Sequence, residues 1–147
     1  MPEGVHVVVG DAETAEVGDQ GHARAGARGK AVAGDHARAE AGHSGHASAG
    51  ILSCAISGVR GRSETGERGY SRTGDAGTAV TGAYGTAVAG VGGRVAAGEG
   101  GFLCVTTVGP EGRRHLLTGT VGDGGIRPDV LYEASDGALV EADQAVV

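Results

Sequence analysis

The sequence predicts an all-β fold: a two-sided β-solenoid with 16 residues per coil, closed by a C-terminal cap rich in β-hairpins. Three observations support this prediction. Glycine recurs at every eighth position from Gly10 to Gly98, which gives twelve octads without a break. Small and variable residues alternate within the octads, and Pro2, Pro110 and Pro128 all lie outside them. A fixed short period of this kind is typical of repeat folds, in which each unit packs against its neighbours.

Each octad is expected to form one short strand and one tight turn. Places six and eight are small in almost every octad, whereas places five and seven vary freely. This alternation has period two, which is typical of a strand with one buried and one exposed face. Glycine fills place one throughout and place four in nine octads. We therefore expect a turn there, with glycine supplying a positive φ or a close backbone approach. A helix is disfavoured, because each interior glycine costs about 1 kcal/mol relative to alanine.

Two octads per coil fit the outward residues better than three. A three-octad coil would stack Glu16, Glu40 and Glu64 in one column, and like charges directly opposite one another are destabilising. A two-octad coil instead places Arg24 beside Glu40 and puts Tyr70, Thr86 and Phe102 in one column. Six such coils at a strand spacing of about 4.8 Å predict a rod roughly 29 Å long.

The chain is divided into three segments. Residues 1–9 are predicted to form an N-terminal cap strand, residues 10–105 the octapeptide-repeat solenoid, and residues 106–147 a C-terminal β cap. The cap begins with a hairpin formed by 102–108 and 115–121 around the turn at Gly109 to Gly112. A second hairpin turns at Asp136 and Gly137. Leu103 and Val105 break the small-residue rule and mark the junction with a larger core.

The octads "GDAGTAVT" (74–81) and "GAYGTAVA" (82–89) resemble those of uncharacterised bacterial and phage-associated proteins built from tandem Gly-Asp-x-Ser-Thr-Ala-Ala-x octads. The segment "IRPDVLYEASDGALVE" (126–141) is similar to the short C-terminal β domain that ends those proteins. The matching residues there are Pro128, Asp129, Tyr132, Gly137, Val140 and Glu141. The resemblance implies a repeat fold with a terminal domain, and it implies no chemistry. This chain departs from the family by having Gly where Ser is common and by its more varied outer residues.

Composition excludes several classes of function. The net charge is −6, and the repeat itself is nearly neutral with mixed signs, so no basic stripe is expected to bind nucleic acid. No segment has the length of a membrane span, and the N-terminus does not resemble a signal peptide. Cys54 and Cys104 are expected to be free thiols in a reducing cytoplasm, because they fall three coils apart.

No convergent catalytic, cofactor or metal site is predicted. His36, His43 and His46 are close in sequence, but their spacing matches no known tetrahedral site. "GARGKAVAGD" (26–35) is another octad and lacks the context of a phosphate-binding loop. Thr78 with Val80 and Thr86 with Val88 resemble the Thr-x-Val ladders of ice-binding solenoids, but only two octads carry the pattern. An enzyme at a subunit interface would require an unusually reactive His46 or Cys54.

The outward places of the later even-numbered octads predict an interaction face. Their residues are unusually apolar for this chain, and they are Cys54, Ile56, Tyr70, Arg72, Thr86, Val88, Phe102 and Cys104. A contiguous exposed apolar patch marks an interaction site. The sequence therefore predicts a non-enzymatic structural module that self-assembles into a homodimer, other oligomer or filament. Two alternatives are a cap that folds back over this face, and a module that binds ice, glycan or a protein partner through one ladder face.

Overall fold

The computed structural model describes residues 6–109, 111–123, 126–135 and 138–146, and these residues contain sixteen β-strands and no helix. The first twelve strands are three or four residues long, because the glycine-rich turns of the octads separate them. They are β1 His6–Val8, β2 Thr14–Glu16, β3 His22–Arg24, β4 Lys30–Val32, β5 Arg38–Glu40, β6 His46–Ser48, β7 Cys54–Ile56, β8 Arg62–Glu64, β9 Tyr70–Arg72, β10 Thr78–Val80, β11 Thr86–Ala89 and β12 Arg94–Ala96. The last four are longer: β13 Phe102–Val108, β14 Arg114–Thr120, β15 Val130–Ser135 and β16 Ala138–Val146.

Successive short strands alternate between two parallel sheets. Sheet A has the strand order β1-β3-β5-β7-β9-β11-β13-β14, and sheet B has the order β16-β15-β12-β10-β8-β6-β4-β2. Residues 16 apart lie side by side, as in the pairings of Arg24 with Glu40 and of Thr78 with Arg94. The two-octad coil is thus confirmed, and the chain is a β-solenoid of about six turns.

The turns differ from the expectation in where the positive φ lies. It falls at place three, which is not glycine in ten of the twelve octads; Arg28 has φ 56° and Tyr84 has φ 59°. The Arg28 amide donates a hydrogen bond to the His43 carbonyl of the next coil at 2.7 Å, and the Gly29 amide closes the turn onto the Gly26 carbonyl at 3.1 Å. These bonds hold a conformation that costs an ordinary residue about 1–2 kcal/mol.

The glycines at places one and four are required for close approach. A Cβ on Gly29, at place four, would lie 2.7 Å from the Ala25 Cβ and 2.9 Å from the Glu13 carbonyl oxygen. A Cβ on Gly98, at place one, would lie 2.6 Å from the backbone nitrogen of Ala83 in the preceding coil. Close stacking of the turns therefore favours glycine at these two places, and only three octads have another residue at place four: Glu13, Ala37 and Ser53.

The core changes in character along the rod. Its first part is a column of buried alanines, with Ala15, Ala31 and Ala47 fully buried. A hydroxyl-rich part follows: the Ser63 hydroxyl donates to the Arg72 carbonyl at 2.7 Å, and the Ser71 hydroxyl donates to the Val80 carbonyl at 2.7 Å. The last part contains the largest fully buried side chains of the described residues, Leu103, Val95 and Val105.

The cap extends both sheets. Strands β13 and β14 form the first predicted hairpin, and β15 pairs antiparallel with β12 and with β16. The turn predicted at Asp136 and Gly137 lies outside the described residues. Tyr132 is buried and its hydroxyl accepts a hydrogen bond from the Arg127 amide at 2.8 Å, while the Asp129 amide donates to the Ala97 carbonyl at 2.8 Å. These contacts fix the β15–β16 hairpin to the last coil.

No helix among the described residues is both long and apolar enough to cross a membrane.

Candidate interaction face

The alternation of side chains along each short strand directs places five and seven to the outside of the rod. All eight residues of the predicted interaction face lie at these places of sheet A. They form two columns in register: Cys54, Tyr70, Thr86 and Phe102 at place five, and Ile56, Arg72, Val88 and Cys104 at place seven. The structure therefore brings the eight residues together on one surface. We use the name A face for all outward residues of sheet A, including these eight.

Exposure along the A face is uneven. Tyr70 and Phe102 are exposed, at 38% and 41%, while Cys54, Ile56, Thr86 and Val88 are half-buried. Cys104 differs from the expectation, because it is only 8% exposed. Its short side chain lies between Val88 on one neighbouring strand and Thr118 on the other. Tyr70, Arg72 and Phe102 are therefore the most accessible of the eight residues, Cys54 is partly accessible, and Cys104 is not.

The cap enlarges the A face and does not cover it. Strand β14 lies beside β13 as the edge of sheet A, so the alternative of a cap folded over the face does not hold for the described residues. The antiparallel register pairs Thr106 with Leu116 and Val108 with Arg114. These positions continue the outward alternation of Phe102 and Cys104. Leu116 is 66% exposed and Val108 is also exposed.

Sequence reasoning missed Leu116 and Val108 as members of the A face. The alternation from Phe102 to Val108 could have indicated Val108, since it continues the period of two beyond the last octad. Leu116 could be placed only after the hairpin register was known, because a shift of one residue would move it to the other side of the sheet.

The two thiols on the A face are not activated nucleophiles. Burial raises the pKa of Cys54; nearby Arg38 lowers it and Glu40 raises it further, with a net rise. Burial likewise raises the pKa of Cys104. Because the thiolate is the reactive form, both environments disfavour nucleophilic chemistry. Cys54 and His46 also lie in different sheets, β7 of sheet A and β6 of sheet B, so they do not form a dyad within one chain.

Two equivalent charged clusters lie on opposite faces of the rod. His22 Nε2 lies 2.5 Å from Glu40 Oε2 on sheet A, and His46 Nε2 lies 2.6 Å from Glu64 Oε1 on sheet B. Each glutamate also pairs with an arginine two residues earlier on its own strand, Arg38 or Arg62. Partial burial raises the pKa of both glutamates, but the bonds and charges of the histidine and arginine outweigh it, so both pKa values are lowered.

The clusters occupy positions 24 residues apart, which is one and a half coils. This spacing explains why the same contact appears once on each sheet. The contacts join residues 18 apart, in neighbouring coils and at places five and seven. Such diagonal neighbours lie within reach of long side chains. Hydrogen bonds between histidine and glutamate link adjacent coils in both clusters. The spacing of 18 residues could have identified these contacts from the sequence once the coil length was known.

The three histidines considered as metal ligands are dispersed. His36 lies in a turn before a sheet A strand, His43 in a turn before a sheet B strand, and His46 on sheet B itself. Within the described part of the chain, no group of three or more metal-ligating side chains is close enough to hold an ion. The two Thr-x-Val octads are also separated, because Thr78 lies on sheet B and Thr86 on sheet A.

A scan against protein-family models, a search of curated proteins and a search of solved structures each found no match to this chain.

Proposed function

We propose that this protein is a non-enzymatic structural module that assembles with copies of itself through the A face. The observation that carries the proposal is the distribution of exposed large apolar side chains. Five of them lie on the A face: Val8, Tyr70, Phe102, Val108 and Leu116. Among the described residues, the outer face of sheet B has one, Val140. An apolar surface this asymmetric is typical of an interface.

The size of the A face sets the expected strength. Eight strands at about 4.8 Å spacing give a face roughly 38 Å long, and most of its strands contribute only three residues to the width. Stable complexes bury about 800 Å² per partner, which is near the upper limit for so narrow a surface. We therefore expect association that depends on concentration, with tyrosine and phenylalanine contributing most because aromatic residues dominate interface energetics.

The chemistry of the face supports a structural role. The pKa of each thiol on it is raised. One polar cluster on the face, formed by His22, Glu40 and Arg38, is internally paired. Side chains that are paired with one another in this way shape the surface and its charge, and they are not arranged around a site where a substrate could react.

Light scattering coupled to size-exclusion chromatography tests the proposal. The double variant Tyr70→Ser/Phe102→Ser should bind itself at least about tenfold more weakly than the wild type, equivalent to about 1.4 kcal/mol. The matched control Val32→Ser/Val80→Ser removes two half-buried apolar side chains from the outer face of sheet B and should leave association unchanged. A wild-type protein that stays monomeric at every concentration up to about 1 mM would contradict the proposal.

A further inference from the structure

The A face is positively charged although the chain is acidic. Its outward residues include four arginines and one carboxylate, a net charge of +3 in a chain of net charge −6; the arginines are Arg24, Arg38, Arg72 and Arg114, and the carboxylate is Glu40. Arg24 and Arg72 form no ion pair with any described residue. The face therefore combines exposed aromatic side chains with unneutralised guanidinium groups.

The turns that lead into the strands of sheet A form a surface of opposite charge, which we call the acidic edge. Places two and three of these octads contain four carboxylates and one arginine, which gives a net charge of −3 when histidine is counted as neutral. These residues are Asp19, Asp35, Glu67, Glu99 and Arg68. One oxygen of Asp19 and one of Asp35 accept hydrogen bonds from backbone amides of the next coil at 2.9 and 2.8 Å. These bonds hold the carboxylates in fixed positions on the edge.

The acidic edge is also apolar in places. Ile51, Leu52 and Tyr84 are 45%, 48% and 61% exposed, and all three lie in these turns. The edge thus alternates carboxylates with large apolar side chains along the rod, and the A face alternates arginines with them. Arginine and aromatic residues are the types enriched at interface hot spots.

Face-to-face pairing of two A faces is electrostatically unfavourable. It would bring together two surfaces that each have a net charge of +3, and like charges across an interface disfavour association. Pairing the A face with the acidic edge of another copy instead matches a charge of +3 with one of −3 and brings apolar side chains together. The remaining surface of sheet B is close to neutral, with three basic and three acidic residues on its outer side among the described residues.

We infer that self-association joins the A face of one copy to the acidic edge of the next, an inference that rests on the proposed function. The contact is heterologous, because it uses two different surfaces of the same chain. Heterologous contacts form rings when the rotation between copies closes and open filaments when it does not. The partner of each A face is therefore the edge containing Glu67, Tyr84 and Glu99 of a second copy.

Paired charge reversals test this inference. The face variant Arg72→Glu/Arg114→Glu and the edge variant Glu67→Arg/Glu99→Arg should each lower self-association at least about tenfold at low ionic strength. An equimolar mixture of the two should regain association, because the unaltered A face of the edge variant can bind the unaltered edge of the face variant. Lys30→Glu on sheet B is the control and should have no effect. Circular dichroism and thermal melting would verify that every variant folds.

The possible outcomes distinguish the heterologous contact from self-association through the A face in general. Recovery of association only in the mixture supports the heterologous contact. If the edge variant assembles as tightly as the wild type, the acidic edge is not the partner and the inference is overturned; the proposed function then stands if Tyr70→Ser/Phe102→Ser still weakens association. A mixture that stays monomeric while the wild type assembles also overturns the inference. A wild-type protein that never assembles overturns both.

Discussion

The outer faces of sheets A and B show what an octad specifies and what it leaves free. Both faces are built from octads with the same glycine places and the same buried places six and eight. Their outer surfaces differ at places five and seven, where the A face has exposed Tyr70 and Phe102 while sheet B has Thr78 and Arg94 at equivalent positions. The interior determines the rod, and the outward places determine what each side of the rod can bind.

Enlarging one inward residue should have the largest effect on stability. Ala47 is fully buried in β6 and Ser48, beside it, faces outward and is half-buried. Ala47→Leu should lower the free energy of unfolding by about 3 kcal/mol, the upper end for an overpacked core. Ser48→Leu should change it by less than about 0.5 kcal/mol. Urea denaturation followed by circular dichroism measures both, and equal effects would refute the division into inward and outward places.

The hydroxyl part of the core allows a change in the opposite direction. Thr73 and Thr81 are buried, and their hydroxyl oxygens lack a hydrogen-bond partner among the described residues. Thr81→Val should therefore raise the free energy of unfolding by about 1 kcal/mol, since it removes an unsatisfied buried polar group at nearly constant volume. Ser71→Ala should lower it by about 1–2 kcal/mol, because it removes a bonded hydroxyl. If Thr81→Val destabilised the protein, the hydroxyl would have to be satisfied.

Substitution of a left-handed turn residue by glycine should change the free energy of unfolding by a smaller amount. Ala76 has φ 58° at place three, where glycine is tolerated without steric cost. Ala76→Gly should stabilise the fold by up to about 1 kcal/mol, because relief of the left-handed conformation exceeds the added freedom of the unfolded chain. Ala79→Gly, in the strand of the same octad, should destabilise it by about 0.5–1 kcal/mol. Thermal melts of the two variants should shift in opposite directions.

The two histidine–glutamate clusters should respond alike to pH although they lie on opposite faces. The folded pKa values of Glu40 and Glu64 lie below the ordinary value of 4.5. Their contribution to stability is present above the unfolded pKa and is lost as the pH falls through the folded pKa. Because both clusters are partly exposed, each should contribute less than about 1 kcal/mol. Glu40→Gln and Glu64→Gln should each flatten the acid limb of the stability profile equally, and a flattening confined to one would show that the two environments differ.

Periodicity predicted the coil but not the details that depend on register. The choice of two octads followed from outward charges, and the structure places Arg24 beside Glu40 as that choice required. The position of the left-handed residue was not predictable, because side chains as different as Leu52 and Tyr84 occupy it. Whether Leu116 belongs to the A face depended on the register of the β13–β14 hairpin. The charges of the A face and the acidic edge could be compared only after the structure had shown which turns and strands form each surface.

Assembly through the A face should cover this face, and not the outer face of sheet B, as the protein concentration rises. Alkylation of Cys54 reports on the A face, and the thiol introduced by Ser48→Cys in a Cys54→Ser background reports on sheet B. Between about 10 µM and about 1 mM protein, the rate constant for Cys54 should fall at least about fivefold while that of the introduced thiol stays constant. Equal rate constants for Cys54 at both concentrations would show that the protein does not assemble through the A face.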